Sequence, residues 1–265
     1  MEDDLGDRMK GFFEDRAKSR LLRKVPVIIR VDGKSFHVFC KRFERPYDEF
    51  FNQCMNGVAQ LLCSNIQGAK LGERHSDEIS ILVTDYDKIG TDAYFDYEIQ
   101  KITSVVASLA TAEFIKRLLL DKPTMPGTGL SLEPLQFSEN WPIFDCRCFN
   151  IPEVEIPNYF WWRLGDATRN SINMLAQSKF SHKQLQGKTC NEMQEMLFTE
   201  YGINWNNIPQ GQKSGFICRK YKVEKEVEEG PNQGQFFFRN VWKVSPSPSN
   251  LEGLRNILDS ILEKE

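Results

Sequence analysis

The sequence predicts an α+β fold in which helices flank a mixed or antiparallel sheet, and three observations in its first third carry that expectation. Residues 23–31, Arg-Lys-Val-Pro-Val-Ile-Ile-Arg-Val, are rich in β-branched side chains and stop at Asp32-Gly33, the pattern of a buried strand ending in a turn. From Pro46 the apolar residues change to helical spacing. Tyr47, Phe50, Phe51, Cys54, Met55, Val58, Leu61 and Leu62 form one stripe, and a proline suits the start of such a helix. A second strand is expected from about Asp77, where Ile79, Ile81 and Val83 alternate with Glu78, Ser80 and Leu82 until the break at Asp85-Tyr86-Asp87. Residues 25–84 therefore read as a strand-helix-strand unit.

Farther along, Ile99, Ile102, Val105, Val106, Leu109 and Phe114 recur at helical intervals. Residues 121–134, with three prolines and two glycines, form a loop that splits the chain in two. Phe144 to Ile151 is expected as a strand, and Tyr159 to Leu175 and Asn191 to Tyr201 as helices. Phe216 to Val223 and Phe236 to Val244 are expected as strands around a Gly-Pro-Asn turn, and a last helix begins after Asn250. There is no internal repeat and no low-complexity tract.

Composition narrows the class. A chain of 265 residues with 40% hydrophobic and 27% charged residues can bury a sizeable core, as one large domain or two small ones. No run approaches the roughly 18 apolar residues of a membrane span, and the acidic start Met1-Glu2-Asp3-Asp4 is unlike a targeting peptide, so a cytoplasmic protein is expected. The seven cysteines have no CxxC pair and no histidine at zinc-ligand spacing, which favours reduced, buried thiols. A net charge of −3 excludes coating nucleic acid by bulk charge but permits local basic surfaces.

Two acidic residues stand at strand ends, Asp32 before Gly33 and Asp77 after His75-Ser76. Neighbouring strands would bring them together, and adjacent carboxylates repel unless a divalent cation such as Mg²⁺ neutralises them. Such a site suits two-metal nucleotidyl transfer, and a glycine beside it lets the backbone approach a phosphate or metal. Taken singly, each aspartate is more readily a turn or cap residue, and only the pair together with Gly33 brings the site reading level with that one.

The blocks Arg30-Val31-Asp32-Gly33-Lys34-Ser35-Phe36-His37, Phe43-Glu44-Arg45-Pro46 and Ser76-Asp77-Glu78, in this order, resemble the tRNA(His) guanylyltransferase superfamily. The resemblance continues through Trp162-Arg163 with Asp166, Leu185-Gln186-Gly187, Glu195-Met196-Leu197-Phe198 and Gly202-Ile203-Asn204-Trp205-Asn206-Asn207, covering about residues 10–222. It implies a palm-like polymerase core in residues 1–135, with residues 136–265 completing the catalytic domain and contacting RNA. Asp32, Asp77 and the Gly33 carbonyl would hold two Mg²⁺ ions, with Asp32, Asp77, His37, Arg45 and Lys101 as the catalytic set. Gly33, Lys34, Ser35, Phe36, His37 and Ser76 would bind the nucleotide, and Arg45 and Lys101 would neutralise triphosphate charge. Glu78 falls on the opposite strand face from Asp77 and is a weaker ligand candidate, while His75 and His182 find no partner at ligand spacing.

The implied reaction activates a tRNA 5′ monophosphate with ATP or GTP and then joins a nucleoside triphosphate to it, so the RNA grows 3′-to-5′. Where the histidine-specific enzymes carry His-Ile-Asn-Asn-Leu-Tyr-Asn, this chain has Thr168-Arg169-Asn170-Ser171-Ile172-Asn173-Met174, and Met193-Gln194 replaces a Lys-Asn pair. These departures resemble the guanylyltransferase-like branch, which repairs truncated tRNA by templated addition; the alternative is the enzyme that adds the extra guanosine to tRNA(His). An idle RNA-binding subunit would not need both aspartates, and a palm-type cyclase would not need the Gly-Ile-Asn-Trp-Asn-Asn segment. The family implies a homotetramer. Clusters around Arg16 to Lys24, Lys179 to Lys188 and Lys213 to Lys222, with Lys183, Lys188, Lys213 and Arg219 among them, are candidate contacts to the acceptor-stem backbone.

Overall fold

The computed structural model describes residues 4–120, 141–226 and 234–262. Six strands form one sheet in the order β4-β1-β3-β2-β5-β6, with every neighbouring pair antiparallel. The strands are β1 Val27–Gly33, β2 Ala69–His75, β3 Glu78–Val83, β4 Phe144–Asn150, β5 Phe216–Glu226 and β6 Phe236–Pro246. Of the two expected sheet types, the antiparallel one is present. Strands from both sides of residue 135 share it, while the loop expected over 121–134 lies outside the described residues.

The helices are α1 Asp4–Met9, α2 Phe36–Phe39, α3 Glu49–Asn65, α4 Ile99–Leu120, α5 Ile156–Gln177, α6 His182–Leu185, α7 Cys190–Tyr201, α8 Gln210–Ser214 and α9 Leu251–Leu262. Helix α3 starts at Glu49, three residues beyond the expected Pro46. Asp48 caps it, its carboxylate accepting the Phe51 N–H at 2.7 Å and the Glu44 N–H at 2.9 Å.

Alternation sends the two faces of β1 and β3 into different cores. Val27, Ile29, Val31, Ile79, Ile81 and Val83 pack under α3 and α4, and Ile28 and Leu82 join Leu71 and Ile217 beneath α5 and α9. Truncating a fully buried side chain such as Ile29 to alanine costs about 2–5 kcal/mol. A third apolar cluster gathers Ile172, Leu175 and Ala176 of α5 with Phe180, Leu185, Met193 and Leu197, so α5 runs from one core into another.

Strand β2 was not expected. Its Glu73, Arg74 and His75 are buried polar residues, which erases the apolar alternation by which strands are found. No helix among the described residues is long and apolar enough to cross a membrane.

Candidate active site

The register opposes Asp32 to Glu78 of β3 on one side and Asp145 of β4 on the other. Strands β2 and β3 are joined by the two-residue turn Ser76-Asp77, in which Ser76 takes the left-handed φ of 47°. This turn folds over the end of β1, where the Gly33 N–H donates to the Asp77 carbonyl at 3.2 Å. A Cβ on Gly33 would stand 2.8 Å from Asp77 Oδ2 and 2.4 Å from the Phe36 ring, so the backbone and the carboxylate meet only because the position is glycine.

Burial pushes the Asp77 carboxyl above its ordinary value. The Ser76 hydroxyl, donating at 2.9 Å, and the Asp77 backbone oppose the shift, while the charge of Asp32 adds to it. The two expected aspartates therefore sense one another at the sheet end. That unfavourable pairing of anions is what a divalent cation relieves, so the donor set fits one. Asp145, whose ion pair with Arg147 spans 2.8 Å, is an acidic neighbour of Asp32 that the sequence did not suggest.

Gly33, Ser35, His37, Arg45, Ser76 and Asp77 line a single cavity of about 420 Å³. Its far wall comes from α5 (Asn170, Ser171, Met174) and α8 (Gly211, Gln212). Ser35 adopts a left-handed φ of 56° and starts α2. Phe36 borders the cavity, but its ring is buried against Phe39, Phe114 and Phe144 with centroids 4.9–5.5 Å away, so it anchors the loop. Lys34 is exposed and outside the lining, and Lys101 lies on α4 with its ammonium 5.0 Å from the Phe95 ring, also outside it.

Arg74 is the cavity residue that the sequence did not reveal. It is 2% exposed, its guanidinium donates to Asn56 Oδ1 at 2.7 Å and Asn52 Oδ1 at 2.9 Å, and it lies 4.4 Å from the Phe216 ring centroid. Burial pushes it down to about 9, against the more distant charges of Glu73 and Glu49, which leaves it cationic at neutral pH. No carboxylate forms an ion pair with it among the described residues. Its N–H groups are engaged by Asn52, Asn56 and the Ser76 carbonyl, so Arg74 adds positive potential to the cavity wall and fixes the Ser76-Asp77 turn.

On the opposite sheet face, Arg163 of α5 forms an ion pair with Glu78 at 2.7 Å and another with Asp166, and its guanidinium reaches His75 Nε2 at 3.2 Å. Arg30 joins the same Glu78. Glu78 is thus held away from Asp77, as alternation implied, and the Trp162-Arg163 motif with Asp166 ties α5 to the hairpin. His75, expected to make ordinary polar contacts, bonds Glu73 at 3.0 Å through the i, i+2 geometry of the strand. Burial disfavours its imidazolium, but Glu73 and Glu78 outweigh this and raise its pKa. Glu73, His75 and Glu78 converge closely enough for a metal, yet Glu78 is already paired with Arg30 and Arg163 and Glu73 with His75.

The expected RNA contacts are dispersed. Lys183 is exposed on α6, and Lys188 lies 3.4 Å from Glu192. Lys213 donates to the Asn206 carbonyl at 2.9 Å, and Arg219 to the Tyr221 hydroxyl at 2.9 Å. The cluster from Arg16 to Lys24 is largely paired internally, Lys18 with Asp15, Arg20 with Asp96, and Arg23 and Lys24 with Asp85.

The family model Thg1, tRNAHis guanylyltransferase, matches residues 6–152, the stretch that carries Asp32, Gly33 and Asp77. The chain belongs to the Thg1 family. It is 31% identical over 211 residues to the tRNA(His) guanylyltransferase of Candida glabrata, covering 74% of this chain and 83% of that one. A bacterial tRNA(His) guanylyltransferase (Thg1)-like protein solved in complex with ATP superimposes with a TM-score of 0.80 at 35% identity, over 99% of this chain and 100% of that one. A bacterial Thg1-like protein in complex with GTP gives 0.75 at 34% identity, over 98% and 99%. The Thg1-family chain is accordingly a nucleotidyltransferase, and its antiparallel sheet with flanking helices is the α+β, palm-like fold expected for it.

Proposed function

We propose that this Thg1-family chain extends tRNA at its 5′ end in the 3′-to-5′ direction, restoring truncated ends against the opposite strand. The observation that carries the chemistry is the approach of Asp77 to Gly33 under the charge of Asp32, at the rim of a cavity lined by Arg45, Arg74 and His37. Asp32, Asp77 and the Gly33 carbonyl would hold two Mg²⁺ ions, which when bound supply charge neutralisation at the attacking and leaving oxygens. The remaining work falls to the chain. Ser35 and Ser76 orient the triphosphate by hydrogen bonds, while Arg45 and Arg74 match its negative charge from the rim and from the buried wall. The cavity accommodates a nucleotide such as the ATP and GTP bound by the similar bacterial proteins.

Repair is favoured over histidine-specific addition because the altered block Thr168 to Met174 supplies Asn170, Ser171 and Met174 to the cavity wall. The superposition on a Thg1-like protein, 99% of this chain at a TM-score of 0.80 against 79% and 0.63 for the Saccharomyces cerevisiae tRNA(His) guanylyltransferase, supports the same reading. Templated pairing then chooses the base, so the protein needs only to hold the acceptor stem. Incubating the chain and Mg²⁺ with a 5′-monophosphorylated tRNA lacking its first nucleotide, beside full-length tRNA(His), decides between the two. Preferential restoration of the truncated RNA supports repair, and guanosine added only to tRNA(His) overturns it. Homotetrameric assembly belongs to the same proposal and is tested by gel filtration.

A further inference from the structure

Strands β5 and β6 pair over their whole length, from Phe216 opposite Pro246 to Glu226 opposite Phe236. Only the first residues of β5 are held by β2, through Phe216, Ile217 and Cys218, so the rest of the hairpin extends past the sheet. Cross-strand partners share a face, and alternation separates the charges unequally. One face carries Lys220 and Lys222 together with Glu224 and Glu226. The other carries Arg219 opposite Lys243, Arg239 opposite Val223 and Lys225 opposite Phe237, and every charged residue on it is a cation.

Like charges placed directly opposite destabilise a hairpin, so Arg219 against Lys243 is an unfavourable pair within the chain. No carboxylate relieves it, and none of the four cations forms an ion pair among the described residues. Tyr221, on the same face, reports the resulting potential. Burial raises its hydroxyl pKa, but bonds with Ser245 and Arg219 and the charges of Arg219 and Lys243 outweigh burial and bring it below the ordinary value. Phe237 is 44% exposed at the far end, an aromatic surface of the kind on which an unpaired base stacks. On a chain of net charge −3, this is a segregated cationic stripe.

We infer that the Arg219, Lys225, Arg239 and Lys243 face of the hairpin binds the phosphodiester backbone of the structured RNA substrate, away from the 5′ end being extended. The stripe is about 20 Å long, six residues of extended strand. On the same face, Ile217 pairs with Glu73 of β2, so the stripe continues the sheet that carries the site, on the face turned away from Arg74 and Phe216. The RNA would then be gripped at two places on one continuous sheet. The inference rests on the reading of the substrate as RNA, and on binding rather than catalysis.

The test measures equilibrium binding of a fluorescent, folded tRNA to the full chain and to the triple variant Lys225→Gln, Arg239→Gln, Lys243→Gln across a salt series. The expected result is binding weakened by about tenfold or more, and a salt slope reduced by roughly 2–3, close to one counterion per lost phosphate contact. ATP affinity is the control for an intact fold and should not change. If the wild type binds tRNA and the variant binds it equally with the same slope, the hairpin assignment falls while the proposed reaction stands. If the wild type binds no RNA, the RNA reading itself falls. Binding of anionic phospholipid vesicles, but not tRNA, through the same residues would overturn the inference in favour of a membrane surface.

Discussion

The Asp77 carboxylate lies so close to the Gly33 backbone that a single methyl group on Gly33 would come within 2.8 Å of Asp77 Oδ2. Gly33→Ala must therefore move either the carboxylate or the Phe36 ring, which would be 2.4 Å away. The expected outcome is loss of nucleotide addition by about 100-fold or more, with a stability loss of about 1–3 kcal/mol from overpacking. Single-turnover addition beside a thermal melt measures both, and an alanine variant of normal activity refutes the placement of the site.

Asp77→Asn and Asp32→Asn should each reduce addition to background, since each removes charge from the cation site. Asp77 is held at a raised pKa by burial and by Asp32, so its neutral replacement should leave stability unchanged or raise it. A variant that melts at the wild-type temperature or above without activity is the signature sought. One that is inactive only because it is unfolded argues against a functional carboxylate.

Arg74→Lys keeps the cation but cannot reproduce the fork shared by Asn52 and Asn56. ATP affinity should fall by about tenfold or more. Equilibrium ATP binding, compared with Arg45→Lys at the exposed rim, checks whether the buried or the rim cation dominates. Unchanged affinity in Arg74→Lys would make Arg74 a purely architectural residue.

Arg163→Met removes the cation that Glu78 and Asp166 share and leaves them to Arg30 and Arg169 alone, and about 1.5–3 kcal/mol of stability should be lost. Combining it with Glu78→Gln should recover part of that loss. Urea denaturation of the two single variants and the double closes the cycle, and strict additivity would mean that the pair is not coupled.

The capping box of α7 gives the stability a dependence on acid. Thr189 donates to Glu192 from its backbone N–H at 2.8 Å and from its hydroxyl at 2.9 Å, and these bonds lower the Glu192 pKa. A carboxyl depressed in the folded state stabilises it above the ordinary value of 4.5, and this contribution is lost as pH falls through the lowered folded value. Glu192→Gln should melt lower than wild type at pH 7 and converge with it in acid. Parallel pH profiles of the two proteins would show that the box contributes nothing.

The elements legible in the sequence are those whose burial is apolar. The β-branched run of β1, the alternation of β3 and the helical stripes of α3, α4 and α5 each place hydrophobic side chains in a core at the period of the element. Strand β2 was hidden because its inward positions are Glu73, Arg74 and His75, of which Arg74 and His75 find partners distant in sequence, Asn52, Asn56 and Arg163, while Glu73 bonds His75. The same distance concealed Arg74 in the cavity and Asp145 beside Asp32. The two aspartates were legible as strand ends, and their chemistry came from family resemblance. The placement of Lys101 beyond the cavity lining follows from where α4 packs, which no local spacing encodes.

Helix α5 has its roots in two cores, and the consequence concerns inheritance rather than catalysis. Its first half is tied to the sheet by Phe160, Arg163 and Leu164, while Ile172, Leu175 and Ala176 belong to the separate cluster with α6 and α7. The cavity wall at Asn170, Ser171 and Met174 stands on this second footing, where the sequence departs from the histidine-specific pattern. Mutations there can accumulate without disturbing the carboxylates at the sheet end. A lineage can thus shift which RNA ends it accepts in small steps, each leaving a working enzyme for the next.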